Sequence, residues 1–249
     1  GEVKSILENL RGKYGSSFVP KTALTKPVGA PGQGQSLDNN IKIANALLDS
    51  AGWQMGADGI RSKNGKQMII KFILSSPLFQ RIVEPYKNNL KKIGLRLDVK
   101  VVQIAKYEEI LRNFNFDMIV ANYPQSRSPG NEQRSMWSSE AESTPGSRNY
   151  MGIKNPAIDE LINIIVEAKS RKELINSIQA MDRILTHQFY IVPNWYIPYD
   201  RIVYWNKFSR PKINPSQSII INNILEWWWF DESKATALKK ARASGSALQ

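Results

Sequence analysis

Phe116-Asp117-Met118-Ile119-Val120-Ala121-Asn122-Tyr123 reads as a short apolar strand, and Pro124-Gln125-Ser126-Arg127-Ser128-Pro129-Gly130-Asn131-Glu132-Gln133-Arg134 follows it as a polar loop closing on Ser135-Met136-Trp137. Open α/β sheets place ligand sites in loops at the carboxyl ends of buried strands. Arg, Asn, Gln and a flanking aromatic suit polar recognition, so this loop is the candidate site. The same composition also fits an ordinary strand-to-helix connection.

Working backward from this stretch, residues 67–74 contain Met68, Ile69, Ile70, Phe72, Ile73 and Leu74, an apolar run of strand length. Ser76 and Pro77 open a helix whose stripe is Phe79, Ile82, Val83, Tyr86, Leu90 and Ile93, and Gly94 ends it. Leu95, Leu97, Val99 and Val101 then alternate as a strand. Strand, helix and strand make a βαβ crossover, which predicts parallel pairing. Residues 106–113 form a short helix. Upstream, Ser36 or Asp38 caps a helix with Ile41, Ala44, Leu47 and Leu48 on one face, and Gly52 stops it. Asp58-Gly59 and Asn64-Gly65 mark turns that leave room only for a short hairpin arm around Ile60. Residues 1–35 carry Pro20, Pro27, Gly29, Pro31, Gly32 and Gly34 and are expected to lack regular helix or strand.

Working forward, a helix begins near Glu132 and carries Trp137, and residues 138–148 read as a polar surface loop. Asn155-Pro156 starts an amphipathic helix with Ile158, Leu161, Ile162, Ile165 and Val166 inward. Ser170 with Glu173 is a capping box for the next, with Leu174, Ile178, Met181, Ile184 and Leu185 inward. Residues 190–197 and 201–205 read as strands, with Pro193 and Pro198 placing the first at an edge. Ile219-Ile220-Ile221 is another apolar run. Trp227-Trp228-Trp229 cannot all point one way, so at least one is exposed or covered by another body.

With 249 residues the chain can bury a substantial core. Zero cysteines exclude disulfides, thiolate zinc sites and a cysteine nucleophile. The only histidine, His187, falls in a predicted helix and reads as a helix-end structural residue. A net charge of +12 would attract anionic partners, but the basic residues are scattered and form no nucleic-acid motif. No nucleic-acid partner is therefore expected. Nucleotide loops, nucleophile elbows and metal motifs are absent from the sequence, so neither an enzyme nor a cofactor is expected.

Several stretches together resemble one family: Ala46-Leu47-Leu48-Asp49-Ser50-Ala51-Gly52-Trp53, Asp58-Gly59-Ile60-Arg61 with Gly65-Lys66, the loop Ser126 to Arg134, and Asn155-Pro156-Ala157-Ile158-Asp159-Glu160-Leu161-Ile162. The chain resembles the C-terminal part of an ABC-importer substrate-binding protein of the oligopeptide and dipeptide type, nearest the microcin C and oligopeptide (YejA-like) branch. The resemblance implies an α/β fold: a periplasmic binding protein-like lobe of cluster C, with a mixed sheet flanked by helices and extended terminal segments. It implies residues 1–35 as a connector to an absent N-terminal lobe, 36–205 as the ligand-binding lobe, and 206–249 as a return segment with a frayed tail. Expected partners are a peptide or peptide-like ligand, a membrane permease, and the other lobe. The parent is expected in the periplasm, although Gly1-Glu2-Val3-Lys4 has no signal-peptide pattern.

Tyr123, Trp137, Trp195 and Tyr196 are candidate pocket walls, and Arg127 or Arg134 can pair with a carboxylate or phosphate. Gln125, Ser126, Asn131 and Glu132 complete the candidate set. Relatives use an aspartate in this loop for the peptide ammonium group; aligning the proline turns places Gln125 there, and no carboxylate follows until Glu132. Carriers of a nickel complex or a sugar peptide, and a basic interaction module, are the alternatives.

Overall fold

The structure, a computed structural model, describes residues 1–25, 29, 32–196, 201–212 and 224–247. It divides into two compact units, Gly1–Val192 and Pro193–Gln249, earlier than the boundary after residue 205 expected from sequence.

The first unit opens with a helix the sequence reading did not expect. Helix α1 (Glu2–Tyr14) replaces the irregular start assigned to residues 1–35. Its Leu7 and Leu10 are buried in the larger core, with Val3 and Ile6 packed against it. These four positions share one helical face. The first 14 residues are therefore an integral part of this core, not an extended connector. Helix α2 (Leu37–Ser50) forms as expected: Ser36 Oγ accepts from Asn39 N at 3.2 Å, and Gly52 takes φ +83° while Trp53 N reaches back to Leu48 O.

Strands β1 (Gln54–Met55), β2 (Arg61–Lys63) and β3 (Lys66–Gln67) form a small antiparallel sheet, with Asn64 and Gly65 both at positive φ in the second turn. Arg61 is almost fully buried. Its guanidinium donates to Ile93 O at 2.9 Å, to Trp53 O, to Asn45 Oδ1 and to Asp49 Oδ1, so one side chain ties α2, β2 and the end of the next helix together.

The crossover unit is present. Strand β4 (Ile69–Leu74) runs into a 3-10 turn whose Ser76 Oγ accepts from Leu78 N, then α3 (Gln80–Lys91), then β5 (Arg96–Val101) in parallel register with β4. Phe72, Leu74, Val83 and Leu97 make the smaller core beneath it. After α4 (Ile104–Arg112), strand β6 pairs with β4 over Met118–Ile119 only, giving the parallel order β5-β4-β6. The strand read as eight residues thus pairs over two, and the remainder leaves the sheet as an edge. Parallel and antiparallel pairings occupy separate sheets.

Helix α5 (Glu132–Trp137) follows the loop, and α6 (Pro156–Glu167) and α7 (Arg171–His187) pack together over the larger core. Asn155 Oδ1 caps α6 at Ala157 N, and Ser170 Oγ caps α7 at Glu173 N. His187 closes α7, with Nδ1 2.9 Å from the Thr22 hydroxyl. Residues 138–148 are not a wholly exposed loop: Ala141 and Ser147 are buried, as is the adjoining Asn149, whose amide spans Ser138 O and both main-chain groups of Ile153.

Of the strands expected at 190–197, which straddles the boundary between the units, and at 201–205, the described residues form none; β-branched and aromatic residues there lack a ladder partner. Ile197, the end of the first expected strand, and residues 219–221 lie outside the described residues. Strand β7 (Phe208–Ser209) pairs antiparallel with β8 (Trp229–Phe230), preceded by α8 (Ile224–Trp227) and followed by α9 (Glu232–Ser244). Trp229 is 52% exposed, as the consecutive tryptophans required.

Candidate functional site

The loop leaves the edge of the parallel sheet and returns through α5. Its geometry is set by a chain of side chains running across it. Tyr123 stacks on Trp137 with ring centroids 4.9 Å apart and 28° between planes. Trp137 Nε1 donates to Gln133 Oε1 at 2.8 Å, and Gln133 Nε2 donates to Gln125 Oε1 at 2.7 Å. Gln133 is buried, so these bonds satisfy an amide that would otherwise be costly to desolvate. Tyr123, Gln125 and Trp137, three sequence candidates, are thereby brought together by a residue that sequence reasoning missed. The i, i+4 spacing of Gln133 and Trp137 on α5 was the signal that could have found it.

The Tyr123 hydroxyl donates toward Arg148 O at 3.1 Å, with Met151 Sδ at 3.2 Å, and its ring also neighbours Tyr150. Burial, then Tyr150, push its phenol well above the ordinary range, so it stays a neutral donor. Glu132 accepts from Gly130 N at 2.9 Å and from Gln133 Nε2 at 3.2 Å. Partial burial alone would raise its pKa, but the main-chain N–H groups and the Gln133 amide outweigh it and hold the carboxyl below the ordinary range. Glu132 is thus an exposed carboxylate at neutral pH.

The other loop candidates sit outward. Ser126 Oγ accepts from Ser128 N at 3.1 Å, and Arg127 is exposed, its carbonyl taking a bond from Arg171. Asn131 precedes α5 without capping it through its side chain. Arg134 Nη1 donates to Asn163 Oδ1 at 2.9 Å and lines a small hollow of about 160 Å³ with Ser138, Asp159 and Ile162. That volume is too small for a peptide. Trp195 and Tyr196 belong to the second unit, 60% and 83% exposed. Arg148 and Tyr150, at the site, were absent from the sequence candidates.

Past β6 the main chain is open. Among the described residues, no N–H of residues 121–127 donates a hydrogen bond, and of their carbonyls only Asn122 O and Arg127 O accept one, each from an arginine. The described residues contain no group of three or more His, Cys, Asp or Glu side chains placed to hold a metal.

Residues 3–145 match the family described as bacterial extracellular solute-binding proteins, family 5 Middle. The chain belongs to that family. It is 36% identical over 215 residues to the protein y4wM of Sinorhizobium fredii, covering 85% of this chain and 32% of that one. It is 33% identical to the probable peptide-binding protein YejA of Agrobacterium fabrum, covering 77% and 31%. The chain therefore spans about a third of the length of these relatives. Among solved structures, the oligopeptide-binding protein AppA from Bacillus subtilis, in complex with a nonapeptide, superposes with a TM-score of 0.61 over 92% of this chain and 45% of AppA, at 21% identity. The α/β, periplasmic binding protein-like fold is shared with it. This family comprises substrate-binding proteins that act outside the cell membrane.

Proposed function

We propose that this chain is one lobe of a periplasmic receptor that captures oligopeptides or peptide conjugates and delivers them to the permease of an ABC importer. The observation that carries this reading is the open main chain of residues 121–127 beside an edge strand. An extended peptide presents donors and acceptors at every residue and can pair with such a rim without its side chains being read. The Tyr123–Trp137 stack supplies an aromatic wall next to it. Family membership and the probable peptide-binding relative support the same ligand class.

In this reading the protein binds without turnover, and the remainder of the receptor supplies a second lobe. Exposed Val203, Trp205, Trp229 and Phe230 support a covering body of that kind. Ligand contacts shared by both lobes would favour a closed state. One lobe alone makes only half of those contacts.

Calorimetric titration with short peptides, of this chain and of the receptor containing it, tests the proposal. Saturable binding by the receptor is expected, weakened about tenfold or more by Tyr123→Ala and much weaker in the isolated chain. A receptor that binds no peptide, or a chain that binds as tightly as the receptor, overturns it.

A further inference from the structure

Arg148 is a half-buried cation without a carboxylate partner among the described residues. Its guanidinium carbon lies 5.3 Å from the centroid of the Tyr123 ring, whose stacking partner is Trp137. One Nη2 N–H donates to Asn122 O, inside the open segment, and the Arg148 main-chain N–H donates to Ser135 O at 2.9 Å. The buried Asn149 amide, bonded to Ser138 and Ile153, anchors the backbone at this point. The guanidinium thus makes two contacts, to the Tyr123 ring and to Asn122 O, from a backbone that is itself anchored.

Three other arginines fixed by hydrogen bonds have evident structural duties. Arg61 joins three elements and pairs with Asp49, Arg11 donates to Val19 O, and Arg171 donates to Arg127 O. Arg148 spends one donor on Asn122 and forms none of the ion pairs made by the described residues. A guanidinium carries five N–H donors in a planar fork matched to two oxygens of one anion. Taking such a cation partly out of water without a counter-charge is unfavourable, and the Tyr123 ring face offsets only part of that.

We propose that Arg148 is the anchor for a carboxylate of the bound ligand. This rests on the peptide reading of the same rim and extends it to specificity: the open main chain holds the ligand's backbone, and Arg148 selects for negative charge. A peptide can supply that carboxylate from its C-terminus or from an acidic side chain.

The test uses the intact receptor and three peptides of equal length: one without acidic residues and with a free C-terminus, its C-terminal amide, and an amide carrying one Glu. The wild type is expected to bind the free acid about tenfold or more tightly than the plain amide. Arg148→Gln, which retains an amide donor for Asn122 O, is expected to bring that ratio to about one while leaving affinity for the plain amide within about twofold. That unchanged amide affinity also shows the variant is folded. The Glu-bearing amide separates the sources: tight binding that Arg148→Gln abolishes assigns the side-chain carboxylate, and weak binding assigns the terminus. Wild type that binds acid and both amides equally, or an acid preference that survives Arg148→Gln, overturns the inference and leaves the peptide reading standing. Failure of all three peptides to bind overturns both.

Discussion

The indole N–H of Trp137 donates to Oε1 of Gln133, one turn earlier on α5, and so fixes which end of that buried amide faces Gln125. With the oxygen committed to the indole, only the nitrogen is left to hold the loop. Gln133→Leu keeps the volume but removes all three bonds of the amide, leaving Gln125 Oε1, Glu132 Oε1 and the Trp137 N–H to find water. It should destabilise the chain by about 1–3 kcal/mol and shift tryptophan emission to longer wavelength. Urea unfolding followed by fluorescence checks both, and an unchanged midpoint would show that the relay contributes nothing.

Arg61 and Asp49 form an ion pair in which the two partners differ greatly in burial: the Arg61 side chain is 3% exposed and that of Asp49 65%. The exposed carboxylate is screened, so Asp49→Asn should cost less than about 1 kcal/mol. Arg61→Met instead removes donors from two carbonyls, Trp53 O and Ile93 O, and should cost about 3 kcal/mol or more. Comparable losses for the two variants in urea would contradict this ordering.

Gly94 faces the same arginine. It takes φ +78°, and a Cβ there would stand 2.6 Å from Arg61 Cγ and 2.8 Å from Met55 Sδ. Gly94→Ala combines a strained backbone with that overlap and should lower stability by about 2 kcal/mol or more. Thermal unfolding of the variant measures it.

Helix α1 is joined to α6 through Glu160, which accepts from Lys13 at 2.7 Å and from the Tyr14 hydroxyl at 2.6 Å. The Lys13 and Tyr14 hydrogen bonds hold its carboxyl below the ordinary value of 4.5, with partial burial opposing. A folded-state value below the unfolded one stabilises fully above that ordinary value and is lost as pH falls through the folded value. Wild type should therefore exceed Glu160→Gln in urea midpoint at about pH 7, with the gap closing as the pH is taken below the ordinary value of 4.5. A gap independent of pH would remove this linkage.

Leu7 is fully buried in the larger core. Leu7→Ala should cost about 2–5 kcal/mol, a loss no frayed or extended start would show. Denaturant unfolding of this variant decides the role of the first helix.

That helix shows where the sequence was hard to read. Val3, Ile6, Leu7 and Leu10 carry a helical period, but the Gly and Pro residues that follow Tyr14 dominated the composition of the window. The crossover unit was legible because Ser76-Pro77, Gly94 and the apolar stripes agreed at every level. Residues 190–205 misled in the opposite way, since aromatic and β-branched residues favour strands only where a neighbouring strand exists. At the site, Tyr123, Gln125 and Trp137 were visible as residue types. Arg148 was not, because its place depends on the long-range burial of Asn149 and on a ring contact that no local pattern encodes.

The brevity of β6 has its own consequence. A sheet margin that presents a long row of free amides invites other copies of the chain to stack on it, the first step towards fibrous aggregates. Here the regular ladder stops after Ile119, and the amides beyond it follow an irregular path interrupted by Pro124. A rim of that kind can stay open in solution without nucleating self-association.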